Sequence, residues 1–242
     1  MMDNKEKRPQ AAMPAGRKNL SYILKGIVVI AAAIGIVMSA AAGRRAFMGG
    51  SRVFMYFTIQ SNIAVLLICA AGAYLMSRGE VSDRLLAGQF MGAGSITLTG
   101  LVFCFVLAPV LGRSAWSLPN VLTHVVVPLA AAADFFVSGK RGCLKKKTVF
   151  LGLLPPLAYA IYAGIGYAAG WEFSEGVCYP YFFLNWGSPA GAFGFSGELP
   201  YMGCVWWILA IFILLLAVGL LYLAILEKAG YRDSAGGERK TA

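Results

Sequence analysis

The sequence predicts an all-α, polytopic membrane protein: a bundle of six transmembrane helices with both termini in the cytoplasm. Of its 242 residues, 59% are hydrophobic and only 13% are charged. A soluble domain carries about 25% charged residues, so this deficit indicates a lipid environment. Crossing a bilayer takes about 20 mostly apolar residues. Six segments are long enough, near 20–42, 53–76, 85–110, 118–137, 149–169 and 201–226.

The distribution of Lys and Arg predicts the orientation of the helices. Cytoplasmic loops of membrane proteins carry an excess of these residues. In this chain the excess falls in alternate connections: five precede the first span, two lie in 77–84, five in 138–148, and four follow the last span. The other connections hold three in 43–52, one in 111–117 and none in 170–200.

The charge pattern therefore divides the chain into a single transmembrane domain, 20–226, between a basic cytoplasmic tail at 1–19 and a cytoplasmic tail at 227–242. The net charge of +10 is a topology signal rather than a sign of nucleic-acid binding.

Ser39–Gly43 resembles a signal-peptide cleavage site. The apolar run from Gly26 to Ala42 exceeds the roughly 7–15 residues of a signal sequence, so we expect the first helix to be retained.

The five cysteines and the single histidine predict neither a metal site nor another cofactor. A zinc site needs several His, Cys or carboxylate ligands, and a haem held between two histidines is impossible here. Cys178 and Cys204 both fall on the predicted outer side. Whether they form a disulfide stays open, because connectivity cannot be read from sequence.

The longest connection, 170–200, lies on the predicted outer side and is crowded with aromatic residues. Long loops without helices of their own are often lids or binding elements. The alternative is an aromatic belt at the membrane interface. As a binding element, the loop would offer Tyr179, Tyr181 and Asn185 to a substrate.

His124 is the only histidine, and it lies inside the fourth span. An ionisable side chain at membrane depth is costly and is a functional candidate by default. Its imidazole suits proton transfer near neutral pH. At 1.5 Å per residue, His124 lies about 9 Å below the outer end of its helix, and Thr58 about 7–8 Å below the outer end of the second. The two side chains are therefore expected at one level.

Other hydroxyl groups compete with Thr58 as a partner of His124. Ser61 is one helical turn below Thr58 on the same face and is the serious alternative. Ser95 is expected about 13 Å deeper than His124. Thr123 is adjacent to His124 and is expected to point to another face of the helix.

Three residues of the fourth span, and one of the second, are candidates to support this pair. Pro128 leaves the carbonyl of His124 without its helical donor, which predicts a free acceptor for water or a substrate hydroxyl. Asn120, one turn above His124, is the candidate that orients the imidazole. Asp134 is about 15 Å from His124 and is expected to pair with Lys140 or Arg141. Asn62 is a candidate to polarise a substrate carbonyl.

At these residues the chain resembles a known family. The matching segments are Tyr56–Asn62, His124 with Pro128 and Asp134, and Tyr179-Pro180 followed by Phe182–Leu184. They are similar to the bacterial six-helix branch of the androgen-induced gene 1 family, which includes the androgen-dependent regulator of tissue factor pathway inhibitor. The motifs occupy the second helix, the fourth helix and the last outer loop.

The resemblance implies a membrane threonine hydrolase that cleaves fatty acid esters of hydroxy fatty acids or similar lipid esters. The family's essential threonine and histidine match Thr58 and His124. The implied partner is a membrane lipid or fatty-acyl ester. The alternative is a non-catalytic protein that binds lipid or transports a substrate with proton coupling through the same cavity. In that case His124 would be a ligand contact or a proton-coupling group.

Overall fold

The computed structural model describes residues 13–43 and 50–231, and within them six helices are long and apolar enough to cross a membrane. The predicted all-α, six-span membrane fold is confirmed. The tails are described only from residue 13 and up to 231, so most of both predicted tails lies outside the described residues. We number the helices α1 to α6: Ala15–Gly43, Phe57–Ser77, Asp83–Trp116, Leu118–Ser138, Lys146–Ala168 and Cys204–Ala229.

The two ends of the bundle are named here by what lies at them. At the tail end, where α1 begins and α6 finishes, Arg17 donates to the backbone carbonyls of Phe136 and Ala229. These bonds satisfy carbonyls that the ends of α4 and α6 leave free. The loop end is the opposite one, where α5 leads into 170–200. There Arg52 forms a 2.7 Å ion pair with Glu172.

The core of the bundle lies between α1, α2, α3 and α4. Each of these helices contributes a buried residue to one cluster: Val28, Val65, Ile96 and Val127. Lipid is as apolar as these side chains, so close packing rather than exclusion from water holds the helices together. Helices α5 and α6 pack beside α3, where Phe90 of α3 belongs to one buried cluster with Val149, Tyr222 and Leu226.

Two of the helices are irregular at the loop end. α3 contains a π-helical turn at Phe103–Leu107, and α4 contains one at Leu122–Val126. In α4 the cause is local, because Pro128 has no N–H to close the regular bond to the carbonyl of His124. Such single π-helical turns are frequent at functional sites.

The loop at 170–200 folds back over the loop end, and its only helical segment is a three-residue 3-10 turn, Phe182–Leu184. Phe173, Phe183 and Leu184 are buried and pack against Tyr56 and Tyr159. The loop is therefore part of the fold and not a solvated connection. Cys178 in the loop and Cys204 at the start of α6 are both free cysteines in this structure.

Candidate functional site

Thr58 and His124 meet at the loop end of the bundle. The Oγ1 atom of Thr58 lies 3.2 Å from Nε2 of His124. Thr58 is half-buried and His124 is 7% exposed. The expectation that they share a level agrees with this contact, and the structure adds that they share a face. At this distance an imidazole can act as the base that activates a hydroxyl nucleophile.

Thr58 lies in the first turn of α2, and the start of this helix sets its position. Tyr56 has an extended backbone, and its carbonyl accepts the N–H of Ile59, so the helix begins immediately before Thr58. The first N–H groups of a helix have no partner within it. The Thr58 N–H instead donates to the hydroxyl of Tyr181, 3.3 Å away. Both the side chain and the amide of Thr58 therefore face the same space.

The orientation of His124 is fixed through Nδ1. This nitrogen lies 3.0 Å from the carbonyl oxygen of Asn120 and 3.0 Å from Oγ1 of Thr123. A carbonyl only accepts, so Nδ1 carries the proton and donates. Nε2 is then the unprotonated nitrogen, and the Thr58 hydroxyl donates to it. The backbone thus selects the tautomer that can act as a base toward Thr58.

The imidazole is also held by an aromatic ring. Phe103 stacks on His124, with ring centroids 3.9 Å apart and planes 22° from parallel. Phe103 begins the π-helical turn of α3, and His124 lies within that of α4. The two irregular turns therefore place the two stacked rings, and they leave Nε2 directed at Thr58.

Tyr181 brings the 170–200 loop into the site. Its hydroxyl lies 3.5 Å from Oγ1 of Thr58, in addition to accepting the Thr58 N–H. Its ring stacks on Phe183 and meets Tyr56 edge to face. Burial raises the pKa of Tyr181, so the phenol is protonated at neutral pH. Burial, with a smaller contribution from Tyr181, raises the pKa of Tyr56 to about 12.

A cavity of about 330 Å³ opens beside this pair. Its wall includes Thr58, His124 and Tyr181, and apolar side chains from α2, α3 and the loop form most of the rest. A second, smaller cavity of about 60 Å³ lies on the α5 and α6 side. It is lined by apolar residues such as Leu98 and Ile208, and it shares Thr58 and Tyr181 with the first cavity.

Ser61 and Asn62 are turned away from His124. The Ser61 hydroxyl lies 2.9 Å from that of Thr99 on α3, so Ser61 faces a neighbouring helix and not the base. Asn62 is fully buried, and its amide donates to the carbonyls of Thr58 and Thr123. Its donors are consumed in joining α2 to α4, so Asn62 is not available to a substrate carbonyl. This corrects its expected role.

Pro128 and Asn120 contribute differently from what the sequence suggested. A Cβ atom built on Gly100 of α3 would lie 2.8 Å from the carbonyl oxygen of His124 and 3.3 Å from Pro128. That carbonyl therefore faces a packed helix and is not open to water or a substrate. Asn120 does orient His124, but through its backbone carbonyl, while its side chain donates to Ala115.

Thr123 also corrects an expectation, because it was expected to point to another face. Its hydroxyl donates to the carbonyl of Pro119 at 2.9 Å and presents a lone pair to Nδ1 of His124. The π-helical turn at Leu122–Val126 alters the angular spacing that a regular helix would give.

Asp134 belongs to a separate cluster at the tail end. Its carboxylate pairs with Lys25 of α1 at 2.6 Å and accepts a 2.6 Å bond from Ser21. The expected pairing with Lys140 or Arg141 is wrong. Arg141 instead donates to the carbonyls of Lys228 and Gly230 at the end of α6. The sequence signal for the true partner was Lys25, the sixth residue of the predicted span 20–42, which contains no other charged residue.

Of the remaining predicted loop residues, Tyr179 lines the larger cavity and Asn185 does not. Asn185 accepts the N–H of Gly187 within a turn. Phe103 and Gly100 were missed by sequence reasoning, because an apolar ring and a glycine in a membrane helix carry no functional signal. Among the described residues, no group of three His, Cys, Asp or Glu side chains could hold a metal ion.

Comparison with models of protein families, with curated proteins and with solved structures gives no match to this chain. The resemblance to the androgen-induced gene 1 family therefore stays a prediction. What bears on function is the geometry around Thr58 and His124.

Proposed function

We propose that this protein is an intramembrane threonine hydrolase that cleaves a lipid ester. The observation that carries the proposal is the 3.2 Å contact between the Thr58 hydroxyl and a His124 whose Nδ1 is tied to a backbone carbonyl, beside a cavity of about 330 Å³. A hydroxyl is a weak nucleophile until an adjacent base accepts its proton. Here the hydroxyl, the base and the group that orients the base are arranged in series.

The reaction proceeds in two halves. Thr58 attacks the acyl carbon of the ester while Nε2 of His124 takes its proton, and the imidazolium then protonates the departing alcohol. Water then enters, gives a proton to Nε2 and attacks the acyl carbon, and the imidazolium returns that proton to Thr58 as the acyl–oxygen bond breaks. The products are a fatty acid and an alcohol. The carbonyl of Asn120 holds the Nδ1 proton throughout and stabilises the imidazolium, the role that a carboxylate has in other hydrolases.

The location of the site favours a substrate that is itself in the membrane. Thr58 lies in the first turn of a membrane-spanning helix, and the cavity beside it is lined mainly by apolar side chains. The charge pattern of the sequence predicts that this end faces away from the cytoplasm. A fatty acid ester of a hydroxy fatty acid, the substrate class implied by the family resemblance, fits such a site.

The test is covalent labelling of the purified protein, in detergent, with a fluorophosphonate probe. Wild type should be labelled, and Thr58→Ala and His124→Ala should lose the label. Ser61→Ala is the matched control, because its hydroxyl is one turn away and faces Thr99, and it should retain labelling. A folded wild type that stays unlabelled would contradict the proposal. That result would favour the alternative, a protein that binds or transports a lipid through this cavity.

A further inference from the structure

We propose that the Tyr181 hydroxyl and the Thr58 backbone N–H form the oxyanion hole of this site. The inference rests on the proposed hydrolase function and assigns a catalytic role to the 170–200 loop. Ester cleavage places negative charge on the substrate carbonyl oxygen, and fixed donors at that oxygen are usually the largest single contribution to catalysis. A threonine–histidine pair without them would lack this part of the machinery.

The first donor is the amide of the nucleophile itself. The Thr58 N–H lies in the first turn of α2, where no helical carbonyl can accept it, and it points at the oxygen of Tyr181, 3.3 Å away. A helix N-terminus carries a partial positive charge, which favours a developing anion. In the free protein Tyr181 occupies the position of an acceptor for this N–H. A substrate oxygen that enters beside the phenol oxygen would accept this N–H in its place, while the Tyr181 ring stays where it is.

The second donor is the phenol of Tyr181. Its oxygen lies 3.5 Å from Oγ1 of Thr58, within reach of an oxygen bonded to the carbon that Thr58 attacks. The ring is fixed by a parallel stack on Phe183, with centroids 5.0 Å apart, and by edge contact with Tyr56 at 5.7 Å. Only the hydroxyl hydrogen has to rotate, so the donor is preorganised. Its raised pKa keeps that hydrogen in place at neutral pH.

The chemical step balances with these groups alone. Thr58 Oγ1 forms a bond to the acyl carbon, its proton moves to Nε2 of His124, and the carbonyl π electrons move onto oxygen. The N–H of Thr58 and the O–H of Tyr181 both donate to this oxyanion. When the electrons return, the bond to the leaving alcohol breaks and His124 supplies the alcohol's proton. The same two donors serve again when water attacks the acyl-threonine.

The positions of the two cavities are consistent with an ester carbonyl held between Thr58 and Tyr181. Thr58 and Tyr181 are common to the walls of both cavities. An ester whose carbonyl lies between these two residues directs one arm into the 330 Å³ cavity, beside His124, and the other toward the narrow apolar cavity between α3, α5 and α6. His124 then lies on the side of the leaving alcohol, where it must deliver a proton.

The test compares Tyr181→Phe with Tyr162→Phe. Tyr162 belongs to the same aromatic cluster and contacts Phe173, but it does not line either cavity. Both variants keep the ring. For hydrolysis of a long-chain p-nitrophenyl ester, and for the rate of fluorophosphonate labelling, Tyr181→Phe should lower kcat and the labelling rate by about 10²–10³-fold with KM little changed. Tyr162→Phe should match wild type.

A second measurement covers the case in which Tyr181→Phe loses stability. A long-chain trifluoromethyl ketone forms an oxyanion when Thr58 adds to it, whereas the corresponding alcohol does not. In wild type, the ketone should bind far more tightly than the alcohol. In folded Tyr181→Phe, that preference should fall by a similar factor.

The outcomes separate the two proposals. Labelling lost with Thr58→Ala but unchanged in rate with Tyr181→Phe would overturn the oxyanion role and leave the hydrolase standing. A wild type that neither labels nor hydrolyses the ester would overturn both.

Discussion

Two buried polar clusters occupy opposite ends of this bundle. At the tail end, Lys25 and Asp134 are 1% and 2% exposed, and Ser21 completes the cluster. The Lys25 ammonium lies 2.6 and 2.8 Å from the two carboxylate oxygens of Asp134 and 2.9 Å from Ser21. At the loop end, Thr58 and His124 form a neutral pair whose atoms face a cavity.

The difference between the two clusters lies in what remains available to a ligand. At the tail end each charge is neutralised by the other, and neither side chain lines the two cavities beside Thr58. At the loop end the pair of Thr58 and His124 opens onto both free volume and a further donor, Tyr181. An ionisable group at membrane depth is a functional candidate by default. Here the two clusters differ in whether a ligand can reach them: Thr58 and His124 line a cavity, whereas Lys25 and Asp134 form a structural clamp that joins α1 to α4.

The largest predicted effect is on stability at the tail end. Lys25→Met alone, or Asp134→Leu alone, leaves a buried charge unpaired and should cost about 3–5 kcal/mol. The double variant replaces the pair with apolar side chains and should recover most of this loss. Thermal unfolding in detergent measures both. Thr58→Val is the comparator from the other cluster and should melt near wild type. If Lys25→Met and Asp134→Leu were each as stable as wild type, the pair would not be a structural clamp.

A smaller loss is expected where α3 supports the helix of His124. Gly100→Ala places a methyl group 2.8 Å from the His124 carbonyl and should cost about 1–3 kcal/mol through overpacking. It should also slow fluorophosphonate labelling, since His124 must shift. Gly94→Ala, on the same helix with nothing within 4 Å of the added carbon, is the control and should change neither. Equal behaviour of the two variants would contradict this reading of the packing.

Asn62 links α2 to α4 beside the pair of Thr58 and His124, and its substitution should have a more modest effect on stability. Asn62→Leu removes the two bonds to the carbonyls of Thr58 and Thr123, each worth about 1 kcal/mol net. The variant should fold, melt slightly lower and label more slowly. If Asn62 were instead a catalytic donor, labelling would be lost with no change in melting temperature. Parallel melting and labelling assays distinguish the two.

The smallest predicted effect concerns Thr123. Thr123→Val removes one of the two acceptors at Nδ1 of His124, but the Asn120 carbonyl still selects the same tautomer. The loss of one bond, about 1 kcal/mol, should slow labelling by roughly fivefold. A loss as complete as that of His124→Ala would show that the hydroxyl, and not the backbone, orients the base.

The sequence placed Thr58 and His124 at one level, in agreement with their contact, because depth along a helix follows from the number of residues. Six spans, the level of Thr58 and the level of His124 follow from hydropathy and rise per residue. Which face each side chain takes does not follow, because two π-helical turns shift the spacing. Thr123 was misplaced for this reason, and the stacked ring of Phe103 was not anticipated.

At the tail end the sequence reading failed in a different way. Asp134 was assigned to nearby basic residues in the next connection, because sequence proximity favours them. The partner is 109 residues away on α1, and only the packing of α1 against α4 brings Lys25 to it. The backbone role of Asn120 and the closure of the His124 carbonyl by Gly100 likewise depend on tertiary packing that no local pattern carries.

Mass spectrometry of the fluorophosphonate-treated protein tests the proposal that the Thr58 hydroxyl is the nucleophile. We expect a phosphonyl adduct on Thr58, in the peptide that also contains Ser61, with fragment ions that place the added mass on Thr58. The adduct should be absent from His124→Ala. An adduct on Ser61 or on another residue, or no adduct on folded wild type, would show that Thr58 is not the nucleophile.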